Sequence, residues 1–298
     1  MSSTDNPSTI LVAGATGFLG NEICRQLIAK NKKVKGLCRP SSDPDKVAKL
    51  KESGAEMVEG DLKNKTSLTN ALKGVSAVIS TVSSTLSRQE GDSIQTVDDE
   101  GQINLVDAAV EAGVSRFVYI SFCSFADQFP LQTAKRKVEK HLAESSLNYT
   151  ILQPTYFMEV WLGPALGFDY SNARATIYGE GKNRISWIAI KDVASFAVAS
   201  LDNAATFNKS IELGGPEALS PIEVVNLFEK GQGKKFELQF VPTEGIKAQK
   251  EAAKDPLSES FAALMLGVAN GSEIDMKSAR EIFAMQLTSV KDYAKMVS

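Results

Sequence analysis

The stretch Ile10-Leu11-Val12-Ala13-Gly14-Ala15-Thr16-Gly17-Phe18-Leu19-Gly20 sets three glycines three residues apart, between an apolar run and an amphipathic stretch. Strand, glycine turn and helix in that order form a phosphate cradle. Gly14 lets the chain leave the strand at positive φ. Gly17 leaves room for a pyrophosphate against the backbone, and Gly20 lets helix and strand pack closely. Free N–H groups and the positive end of the helix dipole then face the phosphates. Gly14, Thr16, Gly17, Phe18, Leu19 and Gly20 are thus the expected dinucleotide contacts; the plain alternative is a glycine turn with no ligand.

A second apolar run, Lys33 to Cys38, ends at Arg39-Pro40-Ser41-Ser42. This is where a dinucleotide fold meets the adenosine ribose, roughly 20 residues past the glycines. An acidic residue here would accept from both hydroxyls of NAD. Arg39 cannot accept, but its guanidinium fork suits the 2′-phosphate of NADP, with Ser41 and Ser42 adding hydroxyls; NADP(H) is therefore expected over NAD(H). A solvated arginine is the alternative. In Gly60-Asp61-Leu62, Asp61 can accept from the adenine amino group while Leu62 covers the ring, or Asp61 can cap the next helix. Thr81 and Val82 leave the carboxyl end of another strand, where open α/β sheets bind ligands.

With 298 residues, 43% hydrophobic and 23% charged, the chain can bury a large core. A net charge of −3 argues against a nucleic-acid surface. Cys24, Cys38 and Cys123 are unevenly spaced and read as free thiols in a reducing compartment. A lone histidine, His141, makes a histidine metal site or a Ser-His-Asp triad improbable, and no metal is expected. Met1 to Ser8 is polar without an apolar core, so it is expected to be neither signal peptide nor anchor. No apolar run approaches membrane-spanning length. The expectation is a cytoplasmic protein.

Alternating elements must position these residues. Strands are expected at Lys33–Cys38, Ala55–Glu59, Val75–Ser80, Arg116–Ile120, Tyr149–Gln153, Arg174–Tyr178, Ile185–Ile190 and Lys209–Leu213. The first helix buries Leu19, Ile23 and Leu27; a long one buries Ile103, Val106 and Val110 and stops at Gly113. Leu86 to Thr96 reads as a polar loop. A further helix turns Ala134, Val138 and Leu142 inward, which by itself leaves its lysines on a solvated face. Asp192 is expected to fix the first turn of its helix. Ser220-Pro221-Ile222-Glu223 is a capping box. The alternation predicts a doubly wound α/β protein with a parallel sheet and right-handed crossovers. A dinucleotide domain is expected over 1–155 and a smaller mixed substrate lobe over 156–298, with 184–213 returning to the sheet.

The glycine fingerprint resembles the atypical short-chain dehydrogenases, as do Leu37-Cys38-Arg39-Pro40, Gly60-Asp61-Leu62, Asp98 to Ala109, Lys135 to Glu139, Tyr149 to Pro154 and Trp187 to Ala194. Within that group the chain is similar to the NmrA-like family, over nearly its whole length and most clearly before residue 215. The resemblance implies a Rossmann fold and an NADP(H) site. It implies one of several activities, since the family includes NADPH-dependent quinone reductases, isoflavone-type reductases and redox-sensing regulators.

Ordinary members of the wider superfamily carry Tyr-x-x-x-Lys. The lysine position matches Lys135, but Leu131 stands one turn earlier, on the same helix face. Phe122 occupies the slot of the serine partner, with Ser121 and Ser124 nearby. Lys135 therefore has three roles open to it: binding the nicotinamide ribose, protonating a carbonyl or enolate, or both. The resemblance also places Pro154 over the nicotinamide. Cys123 and Tyr156 are further candidate donors; Phe157 and Trp161 open an apolar run that is either core or the wall of an apolar substrate pocket. An NADPH-dependent reductase acting on a small apolar carbonyl, quinone or enone is the leading expectation. The other is a catalytically silent NADP(H)-binding sensor or assembly protein, which would bring in a protein partner.

Overall fold

The structure, a computed structural model, describes residues 8–86 and 89–297. Of the polar N-terminal stretch, residues 1–7 lie outside the described residues, as do Ser87 and Arg88 of the expected polar loop. The elements run β1 (Thr9–Ala13), α1 (Phe18–Ala29), β2 (Lys33–Cys38), α2 (Pro44–Glu52), β3 (Glu56–Glu59), α3 (Lys65–Ala71), β4 (Ala77–Ser80), α4 (Glu100–Glu111) and β5 (Arg116–Ile120). They continue α5 (Pro130–Glu144), β6 (Asn148–Pro154), α6 (Met158–Trp161), β7 (Phe168–Asp169), β8 (Arg174–Tyr178), α7 (Ile190–Ser200) and β9 (Lys209–Leu213). The chain closes with α8 (Pro221–Gln232), β10 (Glu237–Val241), α9 (Thr243–Glu251), α10 (Pro256–Asn270), α11 (Lys277–Ile282) and α12 (Val290–Val297).

Seven strands form one sheet in the order β3-β2-β1-β4-β5-β6-β9. Every pairing from β3 to β6 is parallel. The order reverses at β1, the hallmark of a doubly wound sheet, and its switch point lies beside the glycine turn. β4 and β5 are buried at every position, as strands covered by helices on both faces must be. A second, mixed sheet runs β10-β8-β7, parallel between β10 and β8 and antiparallel between β7 and β8.

By contact the chain divides into two units. Of the described residues, the first holds those up to Ser121, with 134–152 and 194–210; the second holds 122–133, 153–193 and those from Ile211 on. Residues 122–133, which fall within the expected 1–155 domain, group with the second unit. The core of the first includes Leu11, Val78, Leu105, Phe117, Val138 and Leu142. That of the second includes Tyr156, Ile177, Trp187, Val224, Phe228 and Val268.

Four local expectations are corrected. The stretch before α4 is not loop throughout: Ile94–Asp99 forms a wide π-helical turn capped reciprocally by Ser93 and Thr96. Val110 is 38% exposed, because α4 turns Leu105, Val106, Ala108 and Ala109 inward instead. Ile185–Ile190 is not a strand; it makes only isolated bridges, from Ile185 to Leu219 and Ser272 and from Ile188 to Phe157. Asp192 stands in the first turn of α7 as expected, but its carboxylate does not cap that turn, since it accepts from Thr288 N and Oγ1. Glu159 does that work, accepting from Ile190 N with both oxygens at 3.0 Å. The capping box at Ser220–Glu223 and the burial of Leu19, Ile23 and Leu27 are as expected.

Candidate functional site

Each of the three glycines meets a different demand. Gly14 has φ +85°, and a Cβ there would lie 2.5 Å from Thr81 Oγ1. At Gly20 a Cβ would come within 2.1 Å of Gly14 O, so only hydrogen lets α1 sit against the turn. Gly17 is different: its φ of −81° and ψ of 170° suit any residue, and a Cβ would meet only Gly14 O, at 3.3 Å. The surface above Gly17 is open, and no side chain caps the first turn of α1. Phe18 stands 73% exposed at that end, while Leu19 is buried and Thr16 half-buried. An anionic group fits this turn, because uncapped helix N–H groups leave donors unspent. Thr81 N and Oγ1 both donate to Ala13 O, tying the carboxyl end of β4 to β1. Val82 O accepts from Gln102 Nε2.

At the end of β2, Arg39 Nη1 donates to Asp92 Oδ2 at 2.6 Å. Lys63 Nζ lies 2.6 Å from the other oxygen of the same carboxylate. Burial works to raise the Asp92 pKa, but hydrogen bonds from Lys63, Arg39 and Gln89 N bring it below the usual carboxylate value. Ser41 Oγ hydrogen-bonds Gln89 Oε1, and Gln89 Nε2 donates to Ser41 O. Asp61 Oδ1 accepts from Lys63 N, and its Oδ2 is 3.9 Å from Lys63 Nζ. The cap of α3 is Asn64, which removes the capping role considered for Asp61. Leu62 is buried in the first core. Two cations and two carboxylates thus gather where β2 and β3 end.

Lys135 is the chief departure from the helical pattern. Its neighbour Lys137 is exposed and pairs with Asp99, but Lys135 is only 5% exposed. Its Nζ lies 3.8 Å from Asp98 Oδ1 and 5.3 Å from the centre of the Tyr119 ring. Asp98 is fully buried, and its Oδ2 accepts from Ser84 N at 3.0 Å and Ser84 Oγ at 2.6 Å. Asp98 Oδ1 and the Tyr119 hydroxyl are buried with no hydrogen-bond partner among the described residues. Burial pulls the Lys135 pKa down; Asp98 and Glu139 oppose that pull and Arg136 adds to it. Burial, with the charge of Asp98 behind it, pushes the Tyr119 phenol well up.

Within the second unit, Cys123 N donates to Pro154 O, and Cys123 Sγ lies 3.6 Å from Ser272 Oγ. Tyr156 is buried; its hydroxyl donates to Leu264 O at 2.9 Å, where Gly267 allows α10 to approach. Burial holds that phenol far above its ordinary value, so it is a poor proton donor. Trp161 packs edge-on against Tyr156 at 4.9 Å, and Phe125 does so at 6.1 Å. Phe157 precedes α6 and bridges to Ile188. Leu131 is buried, its N–H donating to Ser260 Oγ. A cleft of about 500 Å³, lined by Ser186, Gly215, Glu273, Met276 and Arg280 among others, includes none of the expected substrate residues.

Lys63, Ser84, Asp92 and Tyr119 carry no local signal that marks them. Asp98 lay within a motif of the family resemblance, yet nothing in its neighbours shows that it faces a lysine 37 positions later.

A family model described as the NmrA-like family matches residues 6–294. The "Photosystem II assembly factor Ycf39" of Synechocystis sp. is 34% identical over 236 residues, covering 78% of this chain and 70% of that protein. The "Isoflavone reductase homolog IRL" of Zea mays is 30% identical, covering 96% and 97% of the two chains. Among solved structures, an NADPH-dependent quinone oxidoreductase, QOR2, of Escherichia coli, complexed with NADPH, superposes with a TM-score of 0.78. It is 23% identical and covers 97% of this chain and 99% of its own. At that identity the likeness establishes the fold.

Proposed function

The chain belongs to the NmrA-like family, and from that premise we propose that it is an NADPH-dependent oxidoreductase passing hydride to a small apolar carbonyl, quinone or enone. The observation that carries this reading is the open, uncapped turn at Gly17; the burial of Lys135 on α5 is a second, separate support. Gly14, Thr16, Gly17, Phe18, Leu19 and Gly20 hold the pyrophosphate. Arg39 and Ser41 take the 2′-phosphate, Asp61 and Leu62 the adenine, and Thr81, Val82 and Lys135 the nicotinamide ribose. The bound cofactor supplies the hydride; the chain supplies orientation and charge. With Leu131 where the superfamily's tyrosine would stand, Lys135 is the group that can deliver the proton. The aromatic content of the second unit supports an apolar substrate.

NADPH oxidation against a panel of quinones, enones and small aldehydes, with wild type beside Lys135→Ala, tests this. Turnover that the variant loses at saturating NADPH supports a reductase in which Lys135 does more than bind. Tight NADPH binding without turnover favours a second reading, a nucleotide-binding assembly or sensor protein. The observation behind that alternative is the 34% identity to a protein named as an assembly factor, together with the apolar Leu131.

A further inference from the structure

A lysine almost wholly removed from water gives up its proton unless something holds the charge. The groups that face Lys135 are few. The π-helical turn brings Asp98, β5 brings Tyr119, and α5 itself carries Arg136 and Glu139. Arg136 and Glu139 form an ion pair with each other, so their effects on the amine largely offset. Tyr119 is neutral at any working pH, because its phenol is pushed well up. Asp98 is left as the net charge against the amine. Its Oδ2 is anchored by two hydrogen bonds from Ser84, from the backbone N–H and from Oγ. Its Oδ1 approaches the amine to 3.8 Å, close enough to share charge but too far to consume an N–H.

We propose that Asp98 is the positioning residue for Lys135: fixed by Ser84 through the wide turn at Ile94–Asp99, it keeps the buried amine an ammonium with its N–H donors free for the hydroxyls of a bound nucleotide. The wide turn is part of the device, since π-type turns recur where a helix must redirect a functional side chain. This inference rests on the reading that NADPH binds at Lys135, and it holds whether the chain is a catalyst or a sensor.

The test is NADPH affinity by fluorescence titration from pH 6 to 10, for wild type, Asp98→Asn, Lys135→Met and the double variant. An ammonium held by Asp98 loses its proton at lower pH once the carboxylate is gone. Asp98→Asn is therefore expected to bind within about threefold of wild type at pH 6, and to lose affinity with a midpoint about one pH unit lower or more. Lys135→Met is expected to bind weakly, by roughly tenfold, with no such midpoint, and adding Asp98→Asn to it should change nothing further. An unchanged midpoint in Asp98→Asn, or an equal loss at every pH, overturns the proposal. If Asp98→Asn does not fold, Ser84→Ala takes its place, with a smaller downward shift expected and an unmoved midpoint again overturning it. Wild-type binding of NADPH that Lys135→Met leaves intact removes the nucleotide role of Lys135 itself, and with it this inference. No wild-type binding at all removes the cofactor reading first.

Discussion

Adding one methyl group at Gly17 and one at Gly20 should separate the ligand's requirement from the fold's. At Gly20 the new carbon would lie 2.1 Å from Gly14 O, 2.6 Å from Gly14 C and 3.0 Å from Ala15 Cα. All three are backbone atoms, so no rotamer change relieves the clash and α1 must move off the turn. Overpacking of this kind costs about 1–3 kcal/mol. The upper end applies here, offset by the ~1 kcal/mol that alanine gains over glycine inside a helix. The net ~2 kcal/mol corresponds to a melting temperature lower by roughly 3 °C for a chain of this length. At Gly17 the backbone is extended and the carbon meets only Gly14 O, at 3.3 Å. The cost there is that of alanine for glycine at an N-cap, less than about 1 kcal/mol. In the proposed cofactor site, a methyl group above Gly17 would stand where the pyrophosphate approaches the backbone N–H groups. Hydrogen bonds to charged groups contribute ~1.5–3 kcal/mol each, so Gly17→Ala should weaken NADPH binding by about tenfold to a hundredfold. Thermal melting and NADPH titration of the two variants, measured side by side, decide it. Gly17→Ala that binds NADPH like wild type, or that melts as early as Gly20→Ala, refutes the assignment of Gly17 to ligand and Gly20 to packing.

Two further outcomes are expected. Arg39→Ala should weaken NADPH binding at least tenfold while NADH binding changes less than about threefold; equal losses in parallel titrations would refute the 2′-phosphate role. Arg116, buried in β5, donates to Ser200 O, Asn148 O, Thr150 Oγ1 and Thr206 Oγ1, so Arg116→Met should leave buried acceptors unpaired and cost ~3 kcal/mol. Chemical denaturation measures that cost, and a loss under ~1 kcal/mol would show that water satisfies those acceptors.

The sequence by itself determined what depends on neighbours along the chain. β2, β5, β8 and β9 begin and end where their apolar runs do. The glycine turn is legible because each demand, positive φ at Gly14 and hydrogen alone at Gly20, belongs to the local backbone. The capping box at Ser220 is legible because its partners are three residues apart. Tertiary structure decided the rest. The pattern of α5 reads Lys135 as one of several solvated lysines, and only the docking of β5 and the turn carrying Asp98 takes it out of water while Lys137 stays in it. Arg39 and Lys63 share Asp92 because β2 and β3 end side by side in the sheet and the stretch after β4 supplies the carboxylate, a matter of strand order rather than composition. Ile185–Ile190 has the composition of a strand, yet it has no neighbour to form a ladder with beyond isolated bridges. Local backbone and helix-face preferences act over a few residues and are written in sequence. Burial of a charge and the choice of its partner depend on what the fold brings up from elsewhere.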